Sequence, residues 1–232
     1  MPTEFITRRA VADDGEVLEE TAGERRLLKF GDLSERAQDR AYQEWANRGY
    51  EDPDILDCTI DAVVEVLEIL GVAFDTREIR LYGGGTRKGP VLSYSIGGGD
   101  NRFTFSGTWS YNGKARRTLR ASFPKDRALN DIADRLGALG RKHRGGVRCR
   151  LDAKPWTHRI RLGWTEYVTR AGVTHEELPP ADYDELESCV TEMQDWAADY
   201  LQCELDFQTS RERFVEDCSD LEYLFDEDGD RG

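Results

Sequence analysis

Val91-Leu-Ser-Tyr-Ser-Ile96, Gly97-Gly-Gly-Asp100 and Arg102-Phe-Thr-Phe-Ser-Gly-Thr-Trp-Ser-Tyr111 decide the fold. The two runs are rich in β-branched and aromatic residues, the composition of strands. The glycines between them punctuate the chain where a tight turn is needed. A third run, Ile79-Arg-Leu-Tyr82, precedes Gly83-Gly-Gly85 in the same manner. Together they predict an antiparallel meander. Asn112-Gly113 carries the two-residue hairpin signature, so a strand over about 114–121 is expected to pair back.

Helical periods flank this region on both sides. Upstream, a short strand at 26–30 leads into Asp32-Leu-Ser-Glu35, with Asp32 or Ser34 as cap of a helix running to about Arg48 and closed by Gly49. Glu51-Asp-Pro53-Asp54 predicts the start of a second helix. Its apolar face is Leu56, Ile60, Val63, Val64, Leu67 and Leu70, ended by Gly71. Downstream, Pro124-Lys-Asp126 opens a helix with Leu129, Ile132, Ala133, Leu136 and Leu139 on one side. Its last turn, Arg141-Lys-His-Arg144, sets cations at the negative end of the helix dipole. Strands at about 147–152 and 157–168 follow, with Arg148, Arg150, Arg159 and Arg161 alternating with Val147, Cys149, Leu151, Ile160 and Leu162. A loop through Pro179-Pro180 leads to a long helix over about 182–206, with Leu186, Cys189, Val190, Met193, Ala197, Tyr200 and Leu201 inward, and a short helix near 210–219. The expected class is α+β: an antiparallel β-sheet flanked by amphipathic helices, in one compact domain over 25–225. Residues 1–24 are expected to be flexible and 226–232 to fray as an acidic tail.

Composition narrows the class of action. The chain has 232 residues, 38% hydrophobic and 10% aromatic, enough to bury a core. Its five cysteines, Cys58, Cys149, Cys189, Cys203 and Cys218, are odd in number and form no C-x-x-C pair, which predicts buried reduced thiols. The first residues show no apolar leader, and no run approaches the roughly 18 apolar residues of a spanning helix. A protein of the cytoplasm is expected, with no membrane partner.

Charge is segregated behind a net of −14. Residues 1–80 hold 10 Lys and Arg against 20 Asp and Glu; residues 81–163 hold 18 against 5; residues 164–232 hold 4 against 21. Blocks of one sign set up local fields that select partners. The second helix carries Asp54, Asp57, Asp61, Glu65 and Glu68 at spacings of 3, 4, 4 and 3, all on the face opposite its apolar stripe. No Lys or Arg occurs between Gly49 and Thr76. Such a stripe is either the solvated face of an amphipathic helix or a site for a basic partner that otherwise holds nucleic acid. Glu185, Glu192, Asp195 and Asp199 repeat the pattern on the long helix. The basic centre, with Lys114, Arg116, Arg117, Arg120 and the cationic strands near Trp156 and Trp164, offers direct nucleic-acid binding through Arg148, Arg150, Arg159 and Arg161 as the alternative.

Catalytic patterns do not emerge. Gly83-Gly-Gly-Thr-Arg-Lys-Gly89 lacks the order of a phosphate-binding loop, His143, His158 and His175 lack metal-ligand spacing, and Cys149 with His158 gives two ligands at most. The expectation is a binding protein, not an enzyme, with no cofactor and no metal.

The order of elements resembles a family of uncharacterised phage and prophage proteins often labelled "antitoxin of toxin–antitoxin stability system". The matching stretches are Leu28-Lys-Phe-Gly-Asp-Leu-Ser-Glu-Arg-Ala37, Glu68-Ile-Leu-Gly71, Ser95-Ile-Gly-Gly-Gly-Asp100, Phe105-Ser-Gly-Thr-Trp-Ser-Tyr111, Pro124-Lys-Asp126 and Lys142-His143. Trp196 to Phe207, Gln208-Thr-Ser210 and Leu221-Glu-Tyr223-Leu-Phe complete them, and Gly83 to Lys88 stands as an insertion. The resemblance implies a mobile-element accessory protein acting in a bacterial host cytoplasm. Joined to the acidic stripe, it leads to an inhibitor of a host defence or nucleic-acid-handling factor, of anti-CRISPR or anti-restriction type and mimicking DNA. An antitoxin that binds a cognate toxin is the neighbouring reading. The partner is a host or mobile-element protein with a basic surface, and dimerisation through a sheet edge is left open.

Overall fold

A computed structural model describes residues 27–231 except 53, 81, 82, 155–158 and 170; before residue 27 it describes only the backbone of strands at 3–4, 7–11, 17–21 and 25–26. Within 1–24, expected to be flexible, Thr7–Val11 and Val17–Thr21 pair as antiparallel strands, and Thr3–Glu4 pairs with Arg25–Arg26; the rest of that stretch lies outside the described residues. The fold is α+β, and its contacts cluster in two compact units where the sequence predicts one domain.

One unit comprises residues 1–55 and 206–232. Helix α1, Glu35–Glu51, starts where Ser34 Oγ accepts the Ala37 N–H at 3.3 Å. It runs through Gly49, the expected stop, for a further two residues. The chain returns as a helix at Arg211–Asp220, capped by Ser210. Leu33, Ala37, Ala41, Phe214, Cys218 and Phe225 form the buried core. Phe214 meets the rings of Phe30, Trp45 and Tyr42 at 5.0, 5.2 and 5.9 Å. Residues 226–231, expected to fray, turn back instead. The Gly229 N–H donates to Asp226 O, Phe225 bridges Arg231, and the Arg231 guanidinium lies 3.5 Å from the Tyr223 ring centroid.

The other unit, Leu56–Leu205, holds the main sheet. Helix α2, Asp57–Ile69, buries Val63, Val66 and Leu67. Strands β1 (Val72–Phe74), β2 (Gly107–Ser110), β3 (Arg148–Lys154), β4 (Arg159–Val168) and β5 (Thr174–His175) lie in the order β5-β4-β3-β2-β1, each antiparallel to its neighbour. Between β1 and β2 the predicted meander breaks into two separate hairpins, Thr76–Arg80 with Thr86–Pro90 and Leu92–Ser95 with Arg102–Phe105. Both leave from a junction of three backbone hydrogen bonds: Asp75 N–H to Ser106 O, Val91 N–H to Asp75 O and Ser106 N–H to Val91 O, at 2.8, 2.7 and 3.1 Å.

The strand expected at 114–121 is a helix, α3, Ala115–Ser122. Asn112 does not make a hairpin turn. Its side-chain oxygen accepts the Lys114 N–H at 3.0 Å, while its side-chain N–H donates to Ile69 O at 2.9 Å. Ala115 and Leu119 point inward at helical spacing, and the Ala, Arg and Leu residues that follow favour a helix. Helix α4, Arg127–Lys142, is capped by Asp126, which accepts the Leu129 N–H, and buries all five predicted apolar residues. Helix α5, Pro180–Gln208, spans the predicted long helix, and its last three residues belong to the other unit. Tyr200, expected inward, is exposed and stacks on Trp196.

Two constraints hold the sheet and helices in register. Trp109 on β2 is fully buried and its indole N–H donates to Leu70 O at 2.9 Å. Gly71, at φ +108°, passes so close to β2 that a Cβ there would lie 2.1 Å from Ser110 O. Elsewhere, Lys142 Nζ and His143 Nε2 lie 2.5 and 2.8 Å from the two oxygens of buried Asp182, joining the end of α4 to the start of α5. Burial works against the Asp182 charge, but the contacts to Lys142 and His143 prevail and hold its carboxyl below the ordinary value of 3.8.

Gly71→Ala combines left-handed backbone strain with a backbone clash and is expected to cost about 2 kcal/mol or more, read as a lowered urea midpoint. Asp182→Asn tests the second constraint. Because the folded carboxyl binds its proton more weakly than the unfolded one, its stabilisation is complete above the ordinary carboxylate range and is lost as pH falls through the folded value. The variant should lose about 2–3 kcal/mol at neutral pH and show a shallower loss of stability below about pH 4. Parallel wild-type and variant curves in acid would contradict this.

Candidate interaction surfaces

The acidic stripe survives folding on α2. Val63, Val66 and Leu67 face the core, so Asp57, Asp61, Glu65 and Glu68 lie exposed on the other side. None of the four forms an ion pair or a side-chain hydrogen bond with a described residue. Asp54 is displaced from the stripe. The Asp54 N–H donates to Asp52 Oδ1 at 2.9 Å, a local turn that competes with helical hydrogen bonding, and the helix begins only at Asp57.

The second acidic set is divided. Arg135 on α4 donates from Nε to Glu185 Oε1 at 2.7 Å and from Nη1 to both oxygens of Glu192 at 2.7 and 2.6 Å. Its Nη2 reaches Ser188 Oγ at 3.0 Å. Burial opposes the charge on Glu192, yet Arg135 and Ser188 hold its carboxyl below the ordinary 4.5. Glu185 and Glu192 thus fasten α4 to α5 and are not available as expected. Asp195 and Asp199 are exposed and share no such clamp; burial, then the neighbouring Asp199 charge, pushes Asp195 above its ordinary value.

The cationic strands are also partly committed. Arg150 on β3 donates to both oxygens of Asp75 at 2.9 and 2.6 Å and to Asp152 at 2.8 Å. The hydrogen bond from Arg150 is the main reason that Asp75 stays below its ordinary value. Arg148 lies 3.4 Å from Glu166. Arg159 and Arg161 remain exposed, beside Asp184, Glu187 and Glu192 of α5 across a recess of about 570 Å³. Four cations pointing at phosphates, as the sequence pattern suggests, are therefore reduced to two with acidic neighbours. Trp156 and His158, and with them the Cys149–His158 pairing, lie outside the described residues. Trp164 is 52% exposed and lines a recess of about 710 Å³ with Tyr183, Glu166, Glu176, Glu177 and Asp184. An aromatic face among carboxylates suits a cationic side chain.

Sequence reasoning did not single out a further set of exposed cations. Arg77, Arg80, Arg87 and Lys88 lie exposed on the hairpin Thr76–Arg80/Thr86–Pro90, free of ion pairs among the described residues. The signal was present: Glu78 is the one acid in residues 76–90. It was masked because the hairpin straddles the boundary between the acidic and basic blocks. The thiols divide as well. Cys149, Cys189 and Cys218 are buried, and burial pushes Cys149 and Cys189 up to about 12, where they are inert; Cys58 and Cys203 are exposed, against expectation.

Among the described residues no group of three or more His, Cys, Asp or Glu is placed to hold a metal ion, and no helix is long and apolar enough to cross a membrane. No curated protein and no solved structure matches the chain. The sequence profile of a domain of unknown function, DUF8835, matches residues 56–211. That span takes in α2, the whole five-stranded sheet and α5. The chain belongs to the DUF8835 family.

Proposed function

We propose that this protein acts by binding, and that the exposed face of α2 captures a partner whose basic surface otherwise holds nucleic acid. One observation carries the reading: Asp57, Asp61, Glu65 and Glu68 stand in line on one exposed helix face without an ion pair among the described residues. Like charges at i,i+4 destabilise a helix by a few tenths of a kcal/mol per pair. Elsewhere the same chain neutralises such acids, as Arg135 does for Glu185 and Glu192. Leaving the α2 set unneutralised works against stability and serves a partner of opposite sign. The electrostatic gain is in the rate of encounter and in selectivity, and it weakens with salt.

The resemblance to phage and prophage proteins supports a mobile-element setting in the bacterial cytoplasm, and the acidic face in that setting favours an inhibitor of anti-CRISPR or anti-restriction type. An antitoxin acting on a basic toxin would use the same helix face.

The test is capture from host lysate by wild type and by an Asp57→Asn, Asp61→Asn, Glu65→Gln, Glu68→Gln variant, at about 50 mM and about 500 mM salt. The expected result is a nucleic-acid-handling protein held by wild type at low salt, released by salt or by competing duplex DNA, and absent from the variant. Equal capture by both forms would reduce the stripe to a solvated helix face.

A further inference from the structure

The hairpin Thr76–Arg80/Thr86–Pro90 is a two-stranded ribbon outside the five-stranded sheet. Its register sets Glu78 opposite Lys88, Ile79 opposite Arg87 and Arg80 opposite Thr86. Side chains alternate along a strand, so Arg77, Ile79 and Arg87 share one face, and Glu78, Arg80 and Lys88 share the other. Both faces are open: the four cations and Glu78 are exposed, and Ile79 is only partly covered.

Such a ribbon is poorly stabilised from within. An isolated two-stranded hairpin is marginal in water. Here its apolar packing is Ile79 laid over Gly89, so closely that a Cβ at Gly89 would lie 2.4 Å from Ile79 Cδ1. Arg77 and Arg87 sit diagonally across one face, about 7–8 Å apart, and repel each other. What holds the ribbon is its base. Asp75 and Val91 belong to the three-bond backbone junction with Ser106, and the Asp75 carboxylate is gripped by Arg150. At the far end, Gly84 and Gly85 adopt φ +83° and +93°, and nothing approaches within 4 Å of where their Cβ atoms would be. The result is an arm rooted at its base with cations on both faces.

We infer that the paired strands Thr76–Arg80 and Thr86–Pro90 form a nucleic-acid-contacting arm that lies in the major groove of duplex DNA, with Arg77, Arg80, Arg87 and Lys88 on the flanking phosphates. A B-form major groove, about 12 Å wide, admits a two-stranded ribbon, whereas the narrow major groove of A-form RNA does not. Cations on both faces match the two phosphate walls of a groove better than a one-sided partner surface. Arginine forks suit phosphate oxygens. Opposition from the net charge of −14 is local at physiological salt, where screening acts over about 8 Å. This surface is distinct from the α2 face and does not depend on it.

The experiment is fluorescence anisotropy with a labelled duplex DNA of about 20 base pairs, on wild type and on an Arg77→Glu, Arg80→Glu, Arg87→Glu, Lys88→Glu variant. Four phosphate contacts predict a slope of log K against log salt of about −3.6, a loss of roughly 10²-fold in affinity between about 50 and 200 mM. The variant should lose binding with its thermal midpoint kept, since no buried side chain is touched. Should that variant fail to fold, Arg87→Gln with Lys88→Gln should cut the slope by about two. Neutralising the α2 carboxylates should leave DNA binding intact or tighten it, which separates this inference from the preceding proposal. Lack of saturable binding at low salt, binding retained by the reversed variant, equal affinity for duplex RNA, or displacement by polyglutamate as effective as by DNA would each overturn it; the last would point to an acidic protein partner.

Discussion

Trp109 sets the constraint on which the larger unit depends. An indole sealed in the core must satisfy its one N–H, and the partner is the carbonyl of Leu70, just beyond the end of α2. That bond, with the close pass of Gly71 over β2, fixes how the helix lies on the sheet. Once Val63, Val66 and Leu67 are turned inward, Asp57, Asp61, Glu65 and Glu68 have nowhere to go but outward. The acidic face is thus the reverse side of the packing that this buried donor helps to hold.

Charge in this protein falls into two kinds. Arg135, Arg150 and Asp182 are partly or largely buried, each with at least two ionic or hydrogen-bonding partners of opposite sign, and each joins separate elements. Such groups are held because leaving any partner alone in a dry site is costly. The stripe on α2 and the cations of the 76–90 hairpin are exposed and outside these clamps. The contrast separates charges spent on architecture from charges left for encounter. It also shows why block counts along the sequence mislead: Glu192 and Asp195 lie three residues apart, yet one is clamped and the other open.

Local order was legible to the extent that local interactions created it. Ser34, one of the two caps expected for α1, is the one used, and Asp126 and Ser210 cap their helices in the same way, because a cap is satisfied within three residues. The alternation of Arg148, Cys149, Arg150 and Leu151 places the thiol and Leu inward, because a strand has two faces. Asn112-Gly113 misled because the Asn112 amide finds a better partner, Ile69 O, from a segment distant in sequence. Asp54 left the stripe because Asp52 captures its backbone.

By itself, then, the sequence determined the α+β class, most of the helices, the exposure of the α2 carboxylates and the inward faces of β3 and β4. Each of these follows from periodicity and caps, which act over a few residues. Only the tertiary structure decided that Glu185, Glu192, Arg148 and Arg150 are already engaged, that the meander splits at Asp75, Val91 and Ser106, and that Arg77, Arg80, Arg87 and Lys88 lie exposed on one hairpin without an ion pair among the described residues. Whether a charge is free depends on which opposite charge the fold brings to it. Arg135 meets Glu192 across 57 residues and Arg150 meets Asp75 across 75, separations at which no local pattern carries information.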